Sequence, residues 1–234
     1  MKPLRLVDKA LELAGRFEQV AEGYVPFTPL NLLYLNLDKG VGSILDLGTG
    51  KGHPMKFINR RKRYYTVGVD IFPPYLQECR RKGSHGEYIL CDVRGLPFRR
   101  KSFDTVLCLR VLEHLAADEG ERLLAEMEVI ARRQVAIITP AYDFDQSPYD
   151  DNPYQEHRFI WSLAQLRARG YKVWPNGLRH VQFDTARMGY LQKLLASFSH
   201  LLWVISGPLV LLFPALSGCL VAVKNVDGAS RVRP

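Results

Sequence analysis

The chain has 234 residues, 47% of them hydrophobic and 24% charged, with a formal net charge of +8. That length and balance fit one globular domain with a sizeable core and exclude a disordered chain. The positive charge is compatible with nucleic acid, an anionic membrane surface or solubility alone, so where the charges fall matters more than their sum. The four cysteines, Cys79, Cys91, Cys108 and Cys219, form no CxxC pair and have no histidine at zinc spacing. They point to a reducing, cytoplasmic compartment.

The N-terminal run MKPLRLVDKALELAGRFEQ carries charges every few residues and does not read as a signal peptide. An amphipathic helix is expected over residues 4–20, with Leu4, Val7, Leu11 and Ala14 on one face. Pro26 and Pro29 bracket a turn, and a second helix fits Leu30–Leu37. Residues 1–40 thus read as a helical cap. Beyond them the pattern changes to short apolar strands alternating with helices. Strands are expected at Ser43–Leu47, Tyr65–Val69, Tyr88–Cys91, Phe103–Leu109, Val135–Thr139, Tyr171–Trp174 and Gly218–Lys224. Helices are expected at Pro54–Asn59, Tyr75–Lys82, Asp118–Ala131 and Trp161–Arg169. Such alternation predicts an α/β fold with a parallel sheet buried by helices on both faces. No repeat or linker divides residues 1–226, and 227–234 reads as a flexible tail.

Three strand ends carry the chemistry. Ile44–Gly52, ILDLGTGKG, is a glycine turn that lets a ligand approach backbone N–H groups at a helix start. Asp70 ends the next strand, about 20 residues past the glycines, where a carboxylate can accept hydrogen bonds from ribose hydroxyls. Asp92 ends the third and can accept from the exocyclic amine of adenine. Alone, each has an ordinary alternative: a tight turn, a helix cap, a turn aspartate. Their order and equal placement at the carboxyl ends of successive strands favour an adenosyl ligand. A nicotinamide site is disfavoured, because G-x-G-x-x-G would need glycine where His53 stands.

The run Asp46-x-Gly48-x-Gly50-x-Gly52 resembles the first motif of class I S-adenosylmethionine-dependent methyltransferases. VGVD ending at Asp70 resembles the second motif and CDVRGLPF (Cys91–Phe98) the third. FDTVLCLRVLEHL (Phe103–Leu115) is similar to the fourth, including a Glu113-His114 pair common in the small-molecule branch, and AIITPAY (Ala136–Tyr142) to the fifth. The resemblance spans roughly Ile44–Lys224. It implies a Rossmann-like, doubly wound, seven-stranded sheet, mostly parallel with an antiparallel last strand, in a three-layer α/β/α sandwich. It also implies S-adenosyl-L-methionine as cofactor. By resemblance Gly48 and Gly50 line the methionine end with Asp46 near the amino group, and Thr49 lies between them. Asp70 and Ile71 hold the ribose, Asp92 and Val93 the adenine, and Leu109 and Arg110 form the far wall.

Methyl transfer is an in-line displacement that mostly needs positioning and exclusion of water. A base helps where the acceptor must lose a proton, and His157, after the fifth strand, is the candidate; packing at the Trp161 helix start is the other reading. His114 reads as a packed helix-start residue. Asp143, Asp145, Asp150 and Asp151 lack firm ligand spacing and read as a solvated loop, so no metal is expected. Tyr142, Tyr149 and Tyr154 are candidates to line an acceptor pocket.

The basic runs Arg60–Arg63, Arg80–Lys82, Arg99–Lys101 and Arg132–Arg133, with Arg167 and Arg169, are placed in helix-to-strand connections, away from the cofactor. That argues against nucleic acid as partner. From Leu194 to Val223 there is no Asp, Glu, Lys or Arg. Ser206-Gly207-Pro208 and Pro214 interrupt this stretch and argue against a spanning helix. Residues 185–216 are therefore an apolar insertion before the last strand, serving as core, as a greasy pocket or as a contact with an anionic membrane. The sequence thus favours transfer to a small-molecule or lipid-like acceptor, in the cytoplasm or at a membrane. A nucleic-acid or protein methyltransferase, and a non-catalytic membrane-docking protein of the same fold, are the alternatives.

Overall fold

The structure, a computed structural model, describes residues 23–143 apart from Val25, 150–179, and 206–226 apart from Pro208. The expected helix over 4–20, the first part of the apolar insertion and the tail lie outside these residues. Seven strands form one sheet: β1 (Ser43–Leu47), β2 (Tyr65–Asp70), β3 (Glu87–Leu90), β4 (Phe103–Leu109), β5 (Ala131–Pro140), β6 (Lys172–Leu178) and β7 (Ser217–Asn225). Their order is β3-β2-β1-β4-β5-β7-β6. Strands β3 to β5 are joined by parallel pairs, and β7 runs antiparallel to both β5 and β6. Strand order reverses between β1 and β4, which puts the ligand crevice of an open α/β sheet outside the carboxyl ends of β1, β2 and β4.

The helices are α1 (Pro29–Asn36), α2 (His53–Ile58), α3 (Pro73–Lys82), α4 (Ala117–Ile130) and α5 (Leu163–Ala168). Their starts follow from sequence. Thr28 Oγ1 accepts from the Asn31 N–H at 3.3 Å, with proline next in line. Before α4 the Glu119 carboxylate reaches back to the Ala116 N–H at 2.9 Å. Ser162 and Gln165 cap α5 reciprocally.

Side-chain alternation along the strands divides the core in two. Leu45, Leu47, Val67, Val69, Val106, Cys108, Val135 and Ile137 face α4 and α5, where Leu124, Met127 and Trp161 are buried. Ile44, Leu107, Leu109, Ala136, Ile138 and Val221 face α1 and α2, where Leu33 and Met55 are buried. Trp161 is 1% exposed and lies over Gly120, where an added Cβ would meet its ring at 2.7 Å. Asp46 and Asp70 alternate with the first set, so both belong to the α1–α2 side of the sheet.

One expectation is corrected. Strand β5 starts at Ala131, four residues before the expected Val135, because Ala131 is already in register with Phe103 of β4 and α4 runs straight into it. Arg132 and Arg133 therefore stand in a strand, tied to Asp104 and Asp38, rather than in a connection. The described part of the apolar insertion is divided: Val210 is fully buried, while Leu212 is 75% and Phe213 56% exposed. No helix among the described residues is long and apolar enough to cross a membrane.

Candidate active site

The turn after β1 is built for close approach. Gly48 has φ +66°, and an added Cβ would sit 2.1 Å from Val111 Cγ2, so side chains are excluded twice over. Gly50 has φ +53° but nothing within 4 Å of its missing Cβ. It borders open space at the crevice, the condition a bound nucleotide needs against a backbone.

Asp70 holds this turn in place. Its Oδ2 accepts from the Gly50 N–H and its Oδ1 from the Phe72 N–H, both at 2.8 Å. Burial pushes the Asp70 carboxyl above its usual range, against the pull of those two donors. Each oxygen keeps lone-pair capacity for a further hydroxyl. Thr49, between the glycines, donates its N–H to Val69 O at 2.9 Å and its hydroxyl meets Cys79 Sγ at 2.9 Å.

Asp46 does something the sequence did not reveal. It is 2% exposed, and Oδ2 is paired with His85 Nε2 at 3.0 Å. His85 comes from the segment before β3, and its ring lies over Gly68, whose added Cβ would meet it at 3.0 Å. Ser84 Oγ contacts His85 Nδ1 at 2.9 Å. Burial works to depress the His85 pKa, but the Asp46 carboxylate and Cys79 outweigh it and raise it to about 9. The carboxylate expected beside a methionine amino group is thus engaged beneath the loop by an imidazolium.

Asp92 stands just past β3, at the expected place. Its carboxylate is gripped by Arg94, with Nη2 at 2.6 Å from Oδ2, and this hydrogen bond holds its pKa below the usual carboxylate range. Val93 is buried in the core on the α4 side. Leu109 ends β4, and Arg110 follows with φ +61° and its N–H on Ile138 O at 2.8 Å. Ile71 is half-buried next to Asp70.

On the acceptor side, residues 112–114 form a 3₁₀ turn after β4. Glu113 is 1% exposed, burial raises its pKa, and Thr139 Oγ1 donates to it at 3.3 Å. His157 lies beside His114, ring centroids 5.3 Å apart. Asp150 does not dangle in solvent: it pairs with Lys51 and accepts from Tyr75 Oη at 3.0 Å. That contact ties the loop after β5 to the glycine turn. Tyr142 is buried and Tyr154 is exposed, while Asp145 and Tyr149 lie outside the described residues.

A seven-stranded 3-2-1-4-5-7-6 sheet with a glycine turn after β1 and an acid ending β2 is the fold of class I S-adenosylmethionine-dependent methyltransferases. Residues 45–139 match the family model described as "Methyltransferase domain". Over 92 residues the chain is 32% identical to mouse "Probable tRNA methyltransferase 9B", a match covering 38% of this chain and 20% of that protein. Over 112 residues it is 29% identical to the bovine 18S rRNA (guanine-N(7))-methyltransferase, covering 47% of this chain and 35% of that one. The chain therefore spans only a fifth to about a third of these relatives. The fold is also that of an S-adenosylmethionine-dependent methyltransferase from Archaeoglobus fulgidus, with a TM-score of 0.55 at 15% identity over 87% of this chain and 97% of that one. Residues 45–139 thus carry a methyltransferase domain, and S-adenosylmethionine is the cofactor of class I methyltransferases. The named relatives act on tRNA and rRNA. This overturns the expectation of a small-molecule or lipid-like acceptor that set nucleic acid aside as a partner. The basic runs lie away from the site, but charge placement alone does not fix the acceptor.

Proposed function

We propose that the protein transfers a methyl group from S-adenosylmethionine to RNA. The observation that carries the donor half is the Gly48–Gly50 turn, left-handed, open above Gly50 and locked to Asp70. In this reading Asp70 accepts from the ribose hydroxyls, its geometry fixed in advance by Gly50 and Phe72. The backbone of Gly48–Gly50 carries the methionine end, and Thr49 anchors that turn. Ile71, Val93 and Leu109 supply apolar walls, Arg110 closes the far side, and Asp92 takes the adenine amine beside Arg94. The cofactor supplies an electrophilic methyl on a sulfonium leaving group. The chain's own residues then need only orient the acceptor in line and keep water away.

The RNA acceptor is supported by the named relatives and by charge. Arg61, Lys62, Arg63, Arg81, Arg99 and Arg100 are exposed and form no ion pair among the described residues, and Arg80 beside them is exposed next to the Tyr88 ring. They lie at the amino ends of the strands, yet a seven-residue strand is only about 23 Å long. A folded RNA entering the acceptor mouth is large enough to run down the domain and meet them.

The test is transfer of label from methyl-tritiated S-adenosylmethionine into total tRNA and rRNA. Labelled RNA with wild type and at least a tenfold drop with Asp70→Ala are expected. Label entering only protein or small-molecule fractions would end the RNA reading while leaving the donor site intact.

A further inference from the structure

Beyond the donor cradle, one cluster at the carboxyl ends of β4 and β5 has the composition of a metal site. Glu113, His114 and His157 each offer a ligand atom, and these atoms all lie within 4.8 Å of one another. Groups at that spacing need move by no more than about an ångström to share a divalent transition metal, whose bonds are about 2 Å.

The surroundings are arranged to keep the three together. The N–H groups of Arg158 and Phe159 both donate to Glu113 O, at 2.8 and 3.2 Å. The segment bearing His157 is thereby clamped onto the turn bearing Glu113 and His114, 43 or 44 residues earlier in the chain. His114 Nδ1 lies 3.0 Å from Glu156 O. A carbonyl can only accept, so Nδ1 carries a proton and Nε2 is the nitrogen left to face a metal. This backbone-held tautomer is how metal-binding histidines are usually oriented. Glu113 is a buried carboxylate that forms no ion pair with Lys or Arg among the described residues, and Thr139 steadies one of its oxygens. A buried acid of this kind is costly to ionise without a cation beside it.

We propose that Glu113, His114 and His157 bind one divalent transition metal, with Zn²⁺ the best match to two imidazoles and one carboxylate. Three protein ligands leave a fourth position open. That position faces the acceptor side of the crevice, where water or an acceptor oxygen or nitrogen can take it. His157 then acts as a ligand rather than as a free base. The inference is independent of the acceptor's identity, because it concerns metal binding alone.

The experiment uses the full chain, stripped with chelator and titrated with Co²⁺ by visible absorption and with Zn²⁺ by calorimetry. One equivalent of each metal is expected, Co²⁺ giving the intense visible bands of a low-coordinate site. His114→Ala and His157→Ala should each weaken binding by more than about 100-fold, beyond the ~10–100-fold seen when only an outer-shell partner is lost. His53→Ala, outside the cluster, should leave it unchanged. S-adenosylhomocysteine binding by each variant reports that the domain is folded, and Glu113→Gln, which keeps the side chain's size, stands in if an alanine variant is not. No stoichiometric metal in wild type, or binding that persists in folded His114→Ala and His157→Ala, would overturn the proposal.

Discussion

The two ends of the crevice are built differently. The donor end, from β1 to β3, is held by local devices: a glycine turn, and acids at successive strand ends bound to neighbouring N–H groups. The acceptor end is assembled from distant parts, a turn after β4 and a segment after β5 that meet through backbone hydrogen bonds. Local devices leave a spacing in the sequence, whereas assemblies made by docking leave only residue types. The difference also concerns solvent. Asp46 and Asp70 are almost fully buried, and so is Glu113, but the histidines beside Glu113 are half-exposed.

The largest test of the donor end removes its buried charge. Asp46→Ala strands a buried imidazolium at His85, and a loss of about 3–5 kcal/mol in urea-denaturation stability is expected. A cost under 1 kcal/mol would mean that the pair carries little. Gly48→Ala comes next. It combines a left-handed backbone with a clash against Val111, for about 2–4 kcal/mol by the same measurement. Gly50→Ala has the backbone penalty without the clash, so its stability cost is roughly 1–2 kcal/mol. Its effect on S-adenosylhomocysteine affinity should be disproportionate, because the new methyl points into the open space. Equal loss in both measurements would erase the distinction between scaffold and cradle.

The pair also sets a pH dependence. His85 has a folded pKa of about 9, above its ordinary 6.5. Its contribution is fully present below pH 6.5 and is lost as pH rises through 9. Melting temperature should therefore fall between those values in wild type, and the slope should flatten in His85→Gln. At the acceptor end the smallest effect is expected from Arg158→Ala. Its side chain makes only an exposed ion pair with Glu119, worth about 0–1 kcal/mol, while the backbone bond that places His157 remains. A loss above 2 kcal/mol would show that the ion pair, rather than the backbone, holds the segment.

The sheet and the donor acids were legible because they depend on period and order. Short apolar runs ended in Asp70 and near Asp92 at even intervals, and β1 and β4 have the bounds their sequences predict. His85 was not legible. A lone histidine before a strand has no periodic partner, and its meaning comes from Asp46, 39 residues away, and from the absence of a side chain at Gly68. The start of β5 is not legible because two arginines interrupt the apolar run where the strand is paired only with β4. Glu113, His114 and His157 were each visible, but no spacing predicts the two hydrogen bonds that gather them. The acceptor is not legible in where the charges fall.

The contact between Gly48 and Val111 joins the two ends, since Val111 leads directly into the turn of Glu113 and His114. With β1 and β4 also paired along their length, neither end has a boundary at which it can come apart alone. Cooperativity follows: the domain should melt in a single calorimetric transition, and a nucleoside at one end or a cation at the other should raise the same midpoint. If the two ligands bind independently, their stabilising free energies will add. Any departure from that sum measures how strongly one bare glycine links cofactor to acceptor.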